Sequence, residues 1–194
     1  MELLGFFLIH ISLTVVLRYG IFLLQTGINP MVQARGHGAA GYADRAMKAV
    51  FVGMAVVVHI HAFAPEHMPH LAPFSQLEHT IVARLGWACL FVSLACTVAA
   101  QTQMGKAWRI GIDTQAPAEL VRKGLFRFSR NPIHLGTRLT LLGLFLVVPN
   151  AVTLALMVAA ELLVQIQVRL EEDHLAQVHG DEYTEYATTV RRWL

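Results

Sequence analysis

The chain has 194 residues, of which 55% are hydrophobic and 14% charged. A soluble domain is nearer about one quarter charged, so the composition excludes an ordinary soluble fold and points to one compact membrane domain. The formal net charge of +2 is too small to suggest a nucleic-acid partner.

The first apolar segment, residues 3–24, would span roughly 33 Å at about 1.5 Å per residue, enough for a hydrocarbon core of about 30 Å. It lacks a basic leader and a small-residue cleavage site, so it reads as a retained helix. The second segment, 49–64, is short. The third, 77–101, carries Cys89 and Cys96 seven residues apart on one helical face, too far apart for a bridge and suited to packing. The fourth and fifth, 133–148 and 151–168, are separated by Pro149 and Asn150, a tight-turn signal between two apolar runs. After Glu171 the chain turns polar. Leu175, Val178, Tyr183, Tyr186 and Val190 fall at near-helical spacing, broken near Gly180, which predicts one or two short amphipathic helices on the membrane surface. The expectation is an all-α, multi-pass transmembrane helical bundle of about five spans forming a single membrane domain. Residues 1–102 hold three N-terminal spans, and 103–194 hold the hairpin 133–168 and a cytoplasmic tail.

Basic residues in the connections set the expected topology. The first loop has Arg35, Arg45 and Lys48, and the third has Lys106, Arg109, Arg122, Lys123, Arg127 and Arg130. The second loop, 65–76, and the Pro149-Asn150 turn have neither Lys nor Arg. This places the N-terminus outside and the C-terminus in the cytoplasm, with Arg84 as the one exception. Arg18 then sits in the cytoplasmic half of the first span and snorkels to the interface. Arg122, Lys123 and Arg127 face anionic membrane lipids.

The hairpin has a consequence that can be counted. In an antiparallel pair, residues equally far from the turn share a level. Arg138 and Glu161 are each about 11 residues from it, roughly 17 Å. Charges inside a span are costly unless paired, so the two are expected to pair or join one polar network. The alternative is two separate charges on a water-filled pocket. The same count sets His134 level with Gln165, Arg130 with Arg169 and Phe128 with Glu171. Asn131 is suited to an N-cap and Pro132 to the first helical position, so a helix starts there with free N–H groups that attract a carboxylate. Glu171 and Glu172 stand opposite. Two readings of this mouth stay open: a site for a ligand with an anionic and a cationic end, or a structural clamp of Arg130 with the glutamates.

Several pieces occur in order: Met104-Gly105 with Trp108, Leu120-Val121 with Gly124 and Phe126, Arg130-Asn131-Pro132 with His134 and Gly136, Glu171-Glu172 with Leu175, and Gly180 with Tyr183 and Tyr186. The set resembles the C-terminal half of the isoprenylcysteine carboxyl methyltransferase and phospholipid methyltransferase superfamily, over about half the chain. The resemblance implies a membrane enzyme that uses S-adenosylmethionine. It implies that the cofactor touches Leu120, Val121, Phe126, Arg130, Asn131, Pro132, Ile133, His134, Glu171 and Glu172. By the same resemblance, Arg169 or Gln167 faces a lipophilic acceptor, with Arg169 and Glu171 as the catalytic pair. The chain departs from the family pattern at Asn131 (usually His), His134 (usually Tyr) and Phe126 (usually Tyr), and it lacks the final basic-proline end. These departures put a prenylcysteine or phosphatidylethanolamine acceptor in doubt. Methyl transfer from a sulfonium needs mainly positioning and exclusion of water, so the lack of a catalytic triad is no objection.

Two other classes remain in view. One is an NADPH-dependent reductase of sterol-reductase type, which shares a similar C-terminal pattern but has a longer N-terminal half. The other is a non-enzymatic haem or quinone module built on span histidines. His59 and His61, two residues apart, do not share a helical face, and His67 and His70 read as ordinary loop histidines, so no metal site is expected.

Overall fold

A computed structural model of the chain describes residues 1–27, 29, 38–108 and 119–194. Arg35 and Arg109, used above to argue topology, lie outside the described residues. The described elements are helical: α1 (Glu2–Thr26), α2 (Ala39–Phe63), α3 (Thr80–Met104), α4 (Pro132–Val147), α5 (Ala151–His179) and α6 (Asp181–Thr189). Short 3-10 turns at Pro65–Leu71, Ser75–Leu77, Gly105–Ala107 and Gly124–Arg127 connect them.

Among the described residues, α1, α2, α3 and α5 are long and apolar enough to cross a bilayer. The fourth expected span, helix α4, has only 16 residues, about 24 Å of helix. Proline fixes its start, and the Val148-Pro149-Asn150 turn stops it. Two other boundaries differ from the apolar runs. Helix α2 begins ten residues before the predicted 49, because polar residues extend it: Lys48 pairs with Asp44 one turn away at 2.8 Å. Helix α5 runs past 168 to His179, since the polar stretch Gln167 to His179 consists largely of good helix formers. The break at Gly180 falls where the spacing predicted it, and α6 is the one amphipathic helix that follows.

The core is shared by all the long helices. Leu3 and Phe6 of α1, Met47, Met54 and Val57 of α2, Leu90 of α3, Leu144 of α4 and Val164 and Val168 of α5 form one buried cluster. The tightest pairing is α3 with α4, and it depends on small residues. A Cβ on Gly86 would lie 2.9 Å from the Gly143 carbonyl oxygen, and one on Gly143 would lie 2.9 Å from that of Gly86. Deeper along the same seam, the Thr140 hydroxyl donates to the Ser93 hydroxyl at 2.9 Å. Close backbone approach with small and hydroxylated residues is how helices associate where lipid removes the hydrophobic drive. This seam fixes α4, and α4 carries one wall of the mouth.

The hairpin's turn is tied down from outside. The Phe74 N–H donates to the Pro149 carbonyl at 2.9 Å, and the Ala151 N–H to the Ala72 carbonyl at 3.0 Å. The loop between α2 and α3 therefore covers the turn, a contact that the sequence pattern did not announce.

Candidate functional site

At the level roughly 17 Å from the turn, the expected pair forms. Arg138 Nε donates to Glu161 Oε2 at 2.7 Å, and Gln165 Nε2 donates to the other carboxylate oxygen at 2.8 Å. Both charged side chains remain about one-third exposed, 32% and 38%. Trp193, from the end of the chain, lies against Arg138, its ring centroid 4.4 Å from the guanidinium carbon. The hairpin interior thus holds a connected polar group and not two isolated charges.

At the open end of the hairpin the two glutamates separate in role. Glu172 is buried. Its Oε1 accepts from Asn131 Nδ2 at 3.0 Å and lies 3.5 Å from Arg130 Nε. Its Oε2 accepts from Arg192 Nε at 3.0 Å and Nη2 at 2.7 Å. The returning tail adds backbone links. The Arg130 N–H donates to the Arg191 carbonyl at 3.0 Å, and the Ser129 hydroxyl to the Arg192 carbonyl at 3.2 Å. The hydrogen bond to Glu172 holds the Arg192 guanidinium above its ordinary range. The clamp reading therefore describes Glu172, with Arg192 as a member the sequence did not single out.

Glu171, one position earlier, is left open. Its carboxylate is 41% exposed, and the ring Nδ1 of His134 lies 3.9 Å from it, beyond hydrogen-bond range. His134 is in the first turn of α4. The N–H groups of Ile133 and His134 have no acceptor within that helix, because helices leave their first-turn donors unpaired. Asn131 occupies the cap position, but its side chain makes no cap hydrogen bond. Its amide is used instead on Glu172 and on the Arg192 carbonyl, the latter at 3.3 Å. The predicted helix start holds, then, while the predicted cap chemistry is replaced by a tertiary bond.

The remaining sequence-predicted residues differ in burial and in partners. Pro132 is buried at the helix start, and Leu120 and Val121 are half-buried just before the Gly124–Arg127 turn. That turn is pinned on one side by Gln103, whose Oε1 accepts from the Leu125 N–H at 2.7 Å. On the other side the Tyr186 hydroxyl donates to the Phe126 carbonyl at 2.7 Å. Phe126 is buried. Arg169 is exposed on α5, four residues from Gln165.

Two tyrosines of α6 complete the wall. Burial pushes the Tyr186 phenol up to about 12. Burial, then the charge of Glu172, pushes Tyr183 up as well. The Tyr183 hydroxyl is buried with no hydrogen-bond partner. It is a neutral donor under the influence of Glu172, Arg130 and Glu171. Its place in the Gly-x-x-Tyr-x-x-Tyr run was the available signal for it. Beside α6 an open concavity is lined by Arg122, Arg127, Glu185, Tyr186, Thr189 and Val190, none of them among the predicted cofactor residues.

Residues 81–182 match the family model for phospholipid methyltransferase. The chain belongs to that family. The matched region runs from α3 into α6 and holds the hairpin and both glutamates; α1, α2 and the Arg192 tail lie outside it. With its four apolar helices, the chain is an integral membrane protein of a methyltransferase family. No curated protein matches the chain.

Proposed function

We propose that the protein transfers a methyl group from S-adenosylmethionine to a lipophilic or membrane-embedded acceptor, with the cofactor at the hairpin mouth. The observation that carries this reading is the inequality of Glu171 and Glu172. Glu172 is consumed by three side chains, while Glu171 is half-open beside a histidine and a helix N-terminus. An amino-acid-bearing cofactor has one cationic and one anionic end. Glu171 would take the ammonium, and the first-turn N–H groups of α4 would take the carboxylate. Leu120, Val121 and Phe126 would supply apolar contact to the rest. Arg130, Asn131 and Glu172 would hold the mouth in shape behind the ligand. Arg169 would orient the acceptor. The sulfonium supplies the activated methyl group, and the protein aligns the two reactants and keeps water away. The basic third connection would face the cytoplasm, putting the C-terminus there and the N-terminus outside.

The test is binding of S-adenosylhomocysteine and of NADPH to the detergent-purified full chain. Adenosylhomocysteine binding that competes with S-adenosylmethionine is expected. Binding of NADPH alone would overturn the proposal in favour of a reductase.

A further inference from the structure

A second charged group is buried far from the glutamates. Arg18 lies in α1, eight residues before the helix ends at Thr26, and is only 8% exposed. Its Nη2 donates to the Gly105 carbonyl, and its guanidinium carbon is 5.3 Å from the Trp108 ring centroid. Its Nε is buried with no hydrogen-bond partner. Among the described residues no carboxylate pairs with it. A guanidinium has five N–H donors in a planar fork, and among the described residues one carbonyl, that of Gly105, accepts from it.

The surroundings are built to hold that guanidinium in place. The helix before Arg18 shifts to π-helical register over Ser12–Leu17, and within that stretch the Thr14 carbonyl accepts from Gln101 Nε2 of α3 at 3.0 Å. Such single-turn π segments occur often at functional positions. Gly105 has a φ of +53°, open to a residue without Cβ, and this turn presents its carbonyl to Arg18. Phe22, one turn beyond Arg18, packs edge-on against Trp108 at 6.0 Å. Gly105 caps the end of α3, so the guanidinium reaches the end of an apolar helix, the level to which a span arginine snorkels. Next to Arg18, Leu17 and Ile21 are exposed apolar residues of α1.

A buried arginine with donors left over and no carboxylate partner is costly in a membrane span, and such residues often mark a place where an ion or ligand is met. Its donor fork matches the oxygens of a phosphate or carboxylate. We propose that the Arg18 guanidinium, held by the Gly105 carbonyl and the Trp108 ring, binds the oxyanion of a lipid headgroup at the membrane boundary. The binding site is separate from the Glu171 mouth and does not depend on methyl transfer.

The experiment uses the full chain in a neutral detergent without cofactor, titrated with dioctanoyl phosphatidic acid, dioctanoylglycerol or inorganic phosphate. Phosphatidic acid is expected to bind the wild type and to bind R18Q about tenfold or more weakly, the scale of one lost charge-assisted contact. Dioctanoylglycerol, which lacks the oxyanion, should not distinguish the two. Inorganic phosphate with the same dependence on Arg18 would support the oxyanion chemistry while moving its source from lipid to free anion. Equal affinity of R18Q and wild type for phosphatidic acid, or no binding by the wild type, would overturn the proposal. If R18Q does not fold, R18K serves instead: an ammonium lacks the fork, so binding should still weaken, and unchanged binding would count against the assignment. Adenosylhomocysteine affinity should stay the same in the folded Arg18 variant. Its parallel loss would assign the oxyanion to the cofactor and refute a lipid site.

Discussion

The two ends of the α4–α5 hairpin are both closed by a segment from elsewhere in the chain, but with different chemistry. At the turn, residues 72–74 bind the backbone of Pro149 and Ala151. Asn150 and Thr153 cap each other there: Thr153 N–H to Asn150 Oδ1 at 2.9 Å, and Asn150 N–H to Thr153 Oγ1 at 3.2 Å. Asn150 and Thr153 are neutral and buried, and their polar atoms satisfy one another. At the mouth, the tail carrying Arg191 and Arg192 meets Arg130 and Ser129 through its backbone carbonyls and Glu172 through the charged Arg192 side chain. There, Glu171 and the first-turn N–H groups of α4 are left over. A fully satisfied end is architecture, and an end with unspent charge-bearing groups is where a ligand fits.

The largest effect should come from the mouth. Glu172→Ala would strand Arg130 and Arg192 without their shared carboxylate, and loss of one member of a buried charge network costs about 3–5 kcal/mol. Equilibrium unfolding in detergent measures it, and wild-type stability would show that the mouth is not held by this residue. The ion pair midway between the ends should matter less. Glu161→Ala is expected to cost about 1–2 kcal/mol, in the upper range for interhelical polar contacts in membranes. Adding Arg138→Ala should recover part of that loss, because the lone arginine is removed. Strict additivity of the two changes would contradict the pairing. At the turn, Asn150→Ala should cost about 1 kcal/mol, the usual value of an N-cap. It should leave adenosylhomocysteine affinity unchanged, and a change there would dissolve the contrast between the two ends.

The arithmetic of the hairpin was legible because depth in an antiparallel helix pair follows from residue number alone. It located the Arg138–Glu161 pair, but at the mouth it fell about one turn short: it set Arg130 level with Arg169 and His134 with Gln165, whereas Arg130 lies beside Glu172 and His134 beside Glu171. Helix limits read from apolar runs were less accurate, since Asp44-Lys48 and the segment after Val168 are helical without being apolar. The contacts that divide the two glutamates were not legible. Arg192 returns from 20 residues beyond Glu172, and nothing local in Arg-Arg-Trp-Leu specifies its partner. The Arg18–Gly105 bond spans 87 residues and needs a π-helical register shift that no periodicity announces. One-dimensional pattern reports which face is apolar; it does not report which long side chain crosses to which carbonyl.

The central claim is that Glu171 is held open for the cofactor while Glu172 is structural. Adenosylhomocysteine binding and thermal unfolding, measured together on Glu171→Ala, test it most directly. The account predicts loss of most binding with a stability change within about 0.5 kcal/mol, as for an exposed side chain. Full retention of binding in a folded Glu171→Ala protein would contradict it.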